Sequence, residues 1–530
     1  MMVIMETNPA TSLITALQNP ALYEHPVEKF AVLETHISWV LLTGPYAYKL
    51  KKPVDFGFVD FTTLAKRHFY CQEELRLNRR LAPELYHAVV RITGSLEHPA
   101  LEGSGETLEY AVKMRQFPQD NLLSQLAARG ELQTQHIDEM ALKIAVFHQS
   151  IPKADPATPC GAPDQVHDWV LQNFARIQPL LHQETDITQL NTLQNWCEEE
   201  RRRLDQALRT RQEKGFIREC HGDLHLGNMA LIDGRVIPFD CIEFNDALRW
   251  IDIMSEVAFL VMDLQDRHHP HFAYRFLNRY LQQSGDYAGV TVLSYYLVYR
   301  ALVRAMVSLL RLQQEGVTDQ QQTAIRQDYQ DYVQLALSYT RQHRPVLMIT
   351  HGVSGTGKST LAEKLVEILG ALRVRSDVER KRLFSYALEA DTQSTLQDGI
   401  YTPAASRLTY EQLAMLATAI LNAGYSVIVD AAFLKRSQRD IFRHLADRLG
   451  VPFVVLDLQA AVEILQKRIL QRQTETQDAS EAGIEVLENQ LRTQEPLAQD
   501  ELPYVLSIAA EASLDAEAVC HDLLKKISHD

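Results

Sequence analysis

Short apolar runs broken by turn residues open the chain. Residues 27–52 contain VEKFAVLE, ISWVLLT and YAYKLKK, which predict three strands, with Gly44 and Pro45 breaking the chain between the second and third. Residues 62–80, through LAKRHFYCQEELRLNRR, predict a helix, and YHAVVRI and LEYAVKM predict further strands. From about 119 to 215 the pattern is mostly helical and charge-laced, as in WCEEERRRLDQALRTRQEK. Helices fill about 245–340, where SYYLVYRALVRAMVSLLRL has the tyrosine and leucine stripe of a core helix. At RQHRPVLMIT the character changes. Apolar strands (ALRVRSD, YSVIVDA, PFVVLDL) then alternate with helices, which predicts a parallel α/β sheet and a domain boundary near 342.

At 530 residues the chain is long enough for about two to four domains. A net charge of −15 argues against a protein built to embrace a polyanion, although a local basic cleft is compatible with it. Six cysteines without a CxxC pair give neither a zinc site nor a disulfide framework. The start MMVIMETNPATSL lacks a basic stretch and an apolar core, and uninterrupted apolar runs such as VAFLVM fall short of a membrane span. The expectation is a reduced, cytosolic protein with no membrane partner.

The strongest chemical motif is HGVSGTGKST. Gly352, Val353, Ser354, Gly355, Thr356, Gly357, Lys358, Ser359 and Thr360 fit a phosphate-binding loop between a strand and a helix. Glycines let amide N–H groups close around phosphate, and the helix start adds a positive dipole end. Lys358 would reach the terminal phosphates and Ser359 would bind Mg²⁺. Asp377, in RVRSDVERKRL, is expected at the end of the next strand as a base for an acceptor hydroxyl, with Arg380 one turn on to hold an anionic group; a helix-capping aspartate is the alternative. Asp430, at the end of SVIVD, suits a second metal-facing carboxylate. Arg468 and Arg472 share one face of ILQKRILQR and could close over phosphates or simply be solvated. Residues 345 to about 500 resemble the small P-loop kinases that include polynucleotide kinase, zeta toxins and gluconate kinase. The Asp377/Arg380 pair is similar to the acceptor-binding pair of the first two. The stretch TETQDASEAG is more acidic than such a lid would be.

A second constellation lies upstream in HGDLHLGNMALIDGRVIPFDCIEF. Asp223 would orient an acceptor hydroxyl and take its proton, while Asn228 and Asp240 would hold Mg²⁺. His221 reads as a structural hydrogen-bonding residue. Glu243 would add to the metal shell or brace the loop. Lys49, in AYKLKK, sits like the strand lysine of kinases, with Glu74 as its ion-pair partner, Glu73 as the neighbouring alternative, and Lys51 pointing to the same side. These residues resemble the aminoglycoside phosphotransferase family, whose HGDLHPGN is close to HGDLHLGN here. The resemblance implies a protein-kinase-like fold over residues 27–342, with an N-lobe at 27–118 and a C-lobe at 119–342. It also implies a structural role for Asp252 and an adenine-facing hinge near Lys113 to Phe117. The loop ETHIS lacks glycines, so cover for the phosphates would rely on Thr35, His36 and Ser38.

Residues 1–26 read as an extension and 343–530 as the P-loop domain. The fold class is α/β and α+β multidomain, a kinase-like domain followed by a parallel-sheet P-loop domain. The order is similar to bacterial bifunctional aminoglycoside phosphotransferase and ATP-binding fusion proteins. Together the two sites imply an ATP- and Mg²⁺-dependent kinase that phosphorylates hydroxyls of small-molecule acceptors, its two modules working in series on one metabolite or apart. The alternatives are a nucleotide-sensing role for one module, or polynucleotide 5′-phosphorylation by the second.

Overall fold

The first antiparallel sheet of the computed structural model is built from short strands rich in β-branched and aromatic residues. The structure describes residues 9–57, 59–313, 317–341, 344–388, 399–474, 483–510 and 515–528. Six strands, β1 (Ala31–Glu34), β2 (Ser38–Leu42), β3 (Tyr46–Lys51), β4 (Tyr86–Gly94), β5 (Pro99–Leu101) and β6 (Thr107–Arg115), pair in the order β1-β2-β3-β6-β4-β5. The predicted run from 27 is paired only from Ala31, and the three-residue β5 is an addition to the predicted set. One face of the sheet packs Leu41, Tyr48, Leu50 and Ile92 into a core with Leu13, Ile14 and Leu17. On the other face Val112 and Tyr86 meet Cys71 of the helix Leu64–Asn78. That helix starts at Thr63, whose hydroxyl accepts from the amide of Lys66 at 3.2 Å.

Two small antiparallel ladders come next along the chain. β7 (Ile217–Glu219) pairs with β10 (Trp250–Asp252), and β8 (Met229–Ile232) with β9 (Arg235–Pro238). The segment HGDLHLGN thus lies between β7 and β8, and Asp240 comes after β9.

The second sheet is parallel, in the order β12-β13-β11-β14-β15: β11 (Leu347–His351), β12 (Leu372–Arg375), β13 (Val427–Asp430), β14 (Phe453–Gln459) and β15 (Val505–Ala509). β11, β13 and β14 are largely apolar and buried, as expected for the central strands of a sheet covered on both faces. Met348, Ile428, Leu456 and Leu458 pack on Leu361, Leu365 and Val366 of the helix Lys358–Leu369 and on Leu523 near the C-terminus. The other face carries Val353, Leu434, Leu465 and Leu487 in a smaller cluster.

Packing divides the chain into two compact units: residues 1–139, 147–165 and 210–263, and residues 140–146, 166–209 and 264–530. The break in sequence character near 342 marks where α/β alternation begins. Within the second unit, the helix Pro270–Ser284 lies against the P-loop helix Lys358–Leu369 and β12. The 24 residues Tyr287–Leu310 are long and apolar enough to cross a membrane by length and composition, with mean hydropathy 1.3. Arg300 and Arg304 interrupt that segment, so its uninterrupted apolar runs are short; 67% of its most apolar window is buried.

Candidate active sites

In the first unit, the strand period of two puts Lys49 and Lys51 on one side of β3. Both reach Glu74: Lys49 Nζ lies 2.8 Å from Oε1 and Lys51 Nζ 2.7 Å from Oε2. Lys49 also donates to Asp240 Oδ1 at 2.5 Å, and Lys51 pairs with Glu243. Glu74, Lys51 and Glu243 are almost wholly buried, whereas Asp240 keeps two-fifths of its side chain in solvent. Burial pushes the Glu74 carboxyl up, but Lys49 and Lys51 outweigh it and draw its pKa down to about 2. Burial opposes the Lys49 charge, yet Asp240 and Glu74 hold the ammonium well above the usual lysine range. Glu73 turns to Arg76 at 2.8 Å, so the helix partner of Lys49 is Glu74.

The loop after β7 carries the rest. Asn228 Nδ2 donates to the Asp223 carboxylate at 2.9 Å and to its carbonyl at 3.0 Å. This orients Asp223 and turns the Asn228 amide oxygen away from that pair. Asp240 adopts φ 65°, a left-handed conformation that costs energy for a non-glycine residue and marks a constrained site. Asn228 and Asp240 offer the hard oxygens that suit Mg²⁺. His221 is buried, its Nε2 lies 2.8 Å from the Phe239 carbonyl, and its Nδ1 accepts from the Asp223 amide at 3.3 Å. Asp252 is held by a bidentate Arg211 at 2.7 and 2.8 Å. Thr35 and Ser38 hydrogen-bond to each other across the β1–β2 turn at 2.8 Å. In the predicted hinge, Lys113 stacks over Tyr46 and Gln116 accepts from the amides of Thr43 and Gly44.

In the second unit, β11 ends at His351 and the loop runs into the helix at Lys358. Gly355 and Gly357 take φ of +86° and +91°, and a Cβ at Gly355 would meet the Leu465 carbonyl at 3.0 Å. Only glycine fits these two positions without strain. Lys358 Nζ donates to the Val353 carbonyl at 2.8 Å, and the Ser354 amide to Gln490 Oε1 at 2.7 Å. Ser359 Oγ donates to Asp430 Oδ2 at 2.8 Å, so the hydroxyl and carboxylate expected to share a divalent cation are already adjacent. Hard oxygens at that spacing fit Mg²⁺. The same Oδ2 accepts from Arg373 Nε at 3.0 Å.

Asp377 is the second residue of the helix Ser376–Leu383, two residues past the end of β12 rather than on it. Arg380 lies one turn on and is buried. It donates to the Ile400 carbonyl at 2.9 Å and lies over Tyr401, while its Nε has no hydrogen-bond partner among the described residues. Arg468 donates to the Ala510 carbonyl at 2.8 Å. Arg472 belongs to the helix Val462–Thr474, and its side chain lies outside the described residues, as do residues 475–482 of the acidic stretch.

Residues 66–293 match the model of the phosphotransferase enzyme family, and residues 347–497 match an AAA domain model. Two kinase-like domains support a phosphotransferase of the kinase type. An uncharacterized protein of Mycobacterium tuberculosis (strain ATCC 25618 / H37Rv) is 29% identical over 459 residues, spanning 86% of this chain and 89% of that protein. A protein of Mycobacterium bovis (strain ATCC BAA-935 / AF2122/97), also uncharacterized, stands at the same figures. Among solved structures, the amicoumacin kinase hAmiN in complex with AMP-PNP, Ca²⁺ and Ami is 12% identical, with a TM-score of 0.37, over 60% of this chain and 92% of that one. A gluconokinase from Sinorhizobium meliloti 1021 is 19% identical, with a TM-score of 0.25, over 36% and 94%.

In the kinase-like region, several side chains escape a reading of motifs. Glu256 accepts from the Gly222 amide at 2.7 Å and faces His148 at 2.7 Å, and Asp263 accepts from the Leu226 amide at 2.8 Å. Both glutamate and aspartate come from the helix Ile253–Asp266 and brace the loop after β7. Their seven-residue spacing, two turns along one helix face, is the signal in the sequence. His225, whose Nε2 lies 3.4 Å from Asp223, is legible as the second histidine of HGDLH. In the P-loop region, Arg373 carries no signal beyond a cation inside an apolar strand.

Proposed function

We propose that the chain carries two ATP-dependent phosphotransferase modules, each passing the γ-phosphoryl group to a hydroxyl of a small molecule. The observation that carries this is the convergence of Lys49, Glu74, Asp240, Asn228 and Asp223 in one site. In the kinase-like module Lys49, fixed by Glu74, holds the phosphates. Asn228 and Asp240 would hold Mg²⁺, which when bound neutralises charge on the phosphates. Asp223 takes the proton as the acceptor oxygen bonds to phosphorus and the bond to the departing ADP oxygen breaks. The proton then passes to solvent.

In the P-loop module Lys358 and the loop amides hold phosphate, Ser359 and Asp430 would hold Mg²⁺, and Asp377 is the candidate base. One observation favours a second reading, in which this module senses nucleotide without transferring phosphate: Arg380, the candidate acceptor clamp, is buried and bonded to the Ile400 carbonyl.

The test is phosphate transfer from labelled ATP into a metabolite extract by wild type, Asp223→Ala and Asp377→Ala. Each variant is expected to lose its own labelled product, by about 10²-fold or more for loss of a general base. Retention of every product in Asp377→Ala would leave the P-loop module as a sensor. Retention in Asp223→Ala would remove the base from the first.

A further inference from the structure

Arg373, in β12, lies beside the carboxylate expected to face Mg²⁺. It is nine-tenths buried, and its guanidinium donates through both Nε and an Nη to Asp430 Oδ2, the oxygen that also accepts from Ser359. A cation built into the protein therefore already sits on the carboxylate that would face Mg²⁺. Burial pushes the Arg373 guanidinium down, and Asp430 is its principal support.

A second carboxylate lies within reach. Glu363 is one turn along the P-loop helix from Ser359, and its Oε2 is 4.0 Å from Arg373. Its Oε1 is taken by two arginines of the helix Pro270–Ser284: Arg275 at 2.8 Å and Arg279 at 2.6 Å. Arg275 also reaches Glu367 at 2.6 Å. The same helix grips β12 through Asn278, which donates to the Ala371 carbonyl at 3.1 Å and accepts from the Arg373 amide at 2.7 Å. Arg373 thus has two anionic partners, and how firmly it holds Asp430 depends on what else Glu363 is holding.

We propose that Arg373 competes with the divalent cation for Asp430, and that Arg275 and Arg279, acting on Glu363, set the outcome. Removing the two arginines frees Glu363 to draw Arg373 off Asp430, which exposes the carboxylate to metal. Neutralising Glu363 leaves Arg373 wholly on Asp430. Arg275, Arg279, Glu363 and Arg373 are positioning residues: they act through Asp430 and Ser359. A helix outside the P-loop sheet then governs metal affinity at the P-loop.

This inference rests on the P-loop reading proposed for this module, and the test separates the two. The probe is Mn²⁺, titrated by electron paramagnetic resonance into the ADP-loaded full chain, with Asp240→Asn in the background to silence the first site. Wild type in that background is expected to show a Mn²⁺ site that Ser359→Ala removes. Glu363→Gln should weaken it by about threefold or more, and Arg275→Ala/Arg279→Ala should tighten it by a similar factor. Glu367→Gln makes the same charge change one turn further from Ser359. It should move affinity little, and 0.5 M KCl should not erase the contrast, since screening at about this salt removes long-range fields first. Shifts of the same sign in the two key variants, or an equal shift in Glu367→Gln, would overturn the competition. Absence of any Ser359-dependent Mn²⁺ site would overturn the P-loop reading and this inference with it.

Discussion

Glu74 has both carboxylate oxygens taken by lysines from one strand, Lys49 and Lys51, and it is buried with them. A carboxyl drawn down from 4.5 to about 2 on folding stabilises the folded chain only while it is ionised. Its contribution is complete above the unfolded value near 4.5 and is lost as pH falls towards 2. Glu74→Gln should therefore cost about 3 kcal/mol at pH 7 in urea unfolding of the first unit. The gap from wild type should stay flat between about pH 6 and 8 and shrink below about 4.5. A gap that widens in acid would show that Glu74 is not held as the anion. The pairing itself can be anticipated only in part. The lysine, the helix glutamate and the HxDxxxxN loop each sit in a short pattern, so Lys49, Glu74, Asp223, Asn228 and Asp240 can be picked out singly. The Lys51–Glu243 pair spans 192 residues, and no local pattern carries it.

Elements with strong local rules are legible in the sequence, and those without are not. The P-loop follows from fixed glycine spacing between a strand and a helix, and the parallel strands β11 to β14 from their apolar runs. β15 sits in ELPYVLSIAAEAS, where small and acidic residues dilute the pattern, and only pairing with β14 makes it a strand. Asp377 is expected on the strand end, but the strand stops at Arg375 and the helix begins at once. The loop conformation gives its own test. Gly355→Ala forces a Cβ onto the Leu465 carbonyl at a left-handed φ, a strain of about 1–2 kcal/mol. Lys358-dependent ADP binding, measured by calorimetry, should weaken roughly tenfold. Unchanged binding would mean that phosphate does not use this loop.

At the scale of the molecule, the helices upstream of 342 belong to the packing of the P-loop sheet. Arg275 and Arg279 hold the P-loop helix, the Tyr287 hydroxyl donates to the Arg373 carbonyl at 3.3 Å, and Ser294 meets Tyr425 at 2.9 Å. A fragment of residues 264–530 should accordingly melt cooperatively and at higher temperature than one of residues 343–530. Differential scanning calorimetry of the two decides it, and equal melting temperatures would show the helices to be dispensable. β12 ends the parallel sheet, and Asn278 covers its backbone by accepting from Arg373 and donating to Ala371. An uncovered outer strand offers a template for pairing with another chain. The amide of Asn278 therefore occupies one donor and one acceptor on this outer strand, and a neighbouring molecule would have to displace it to add a strand on that side.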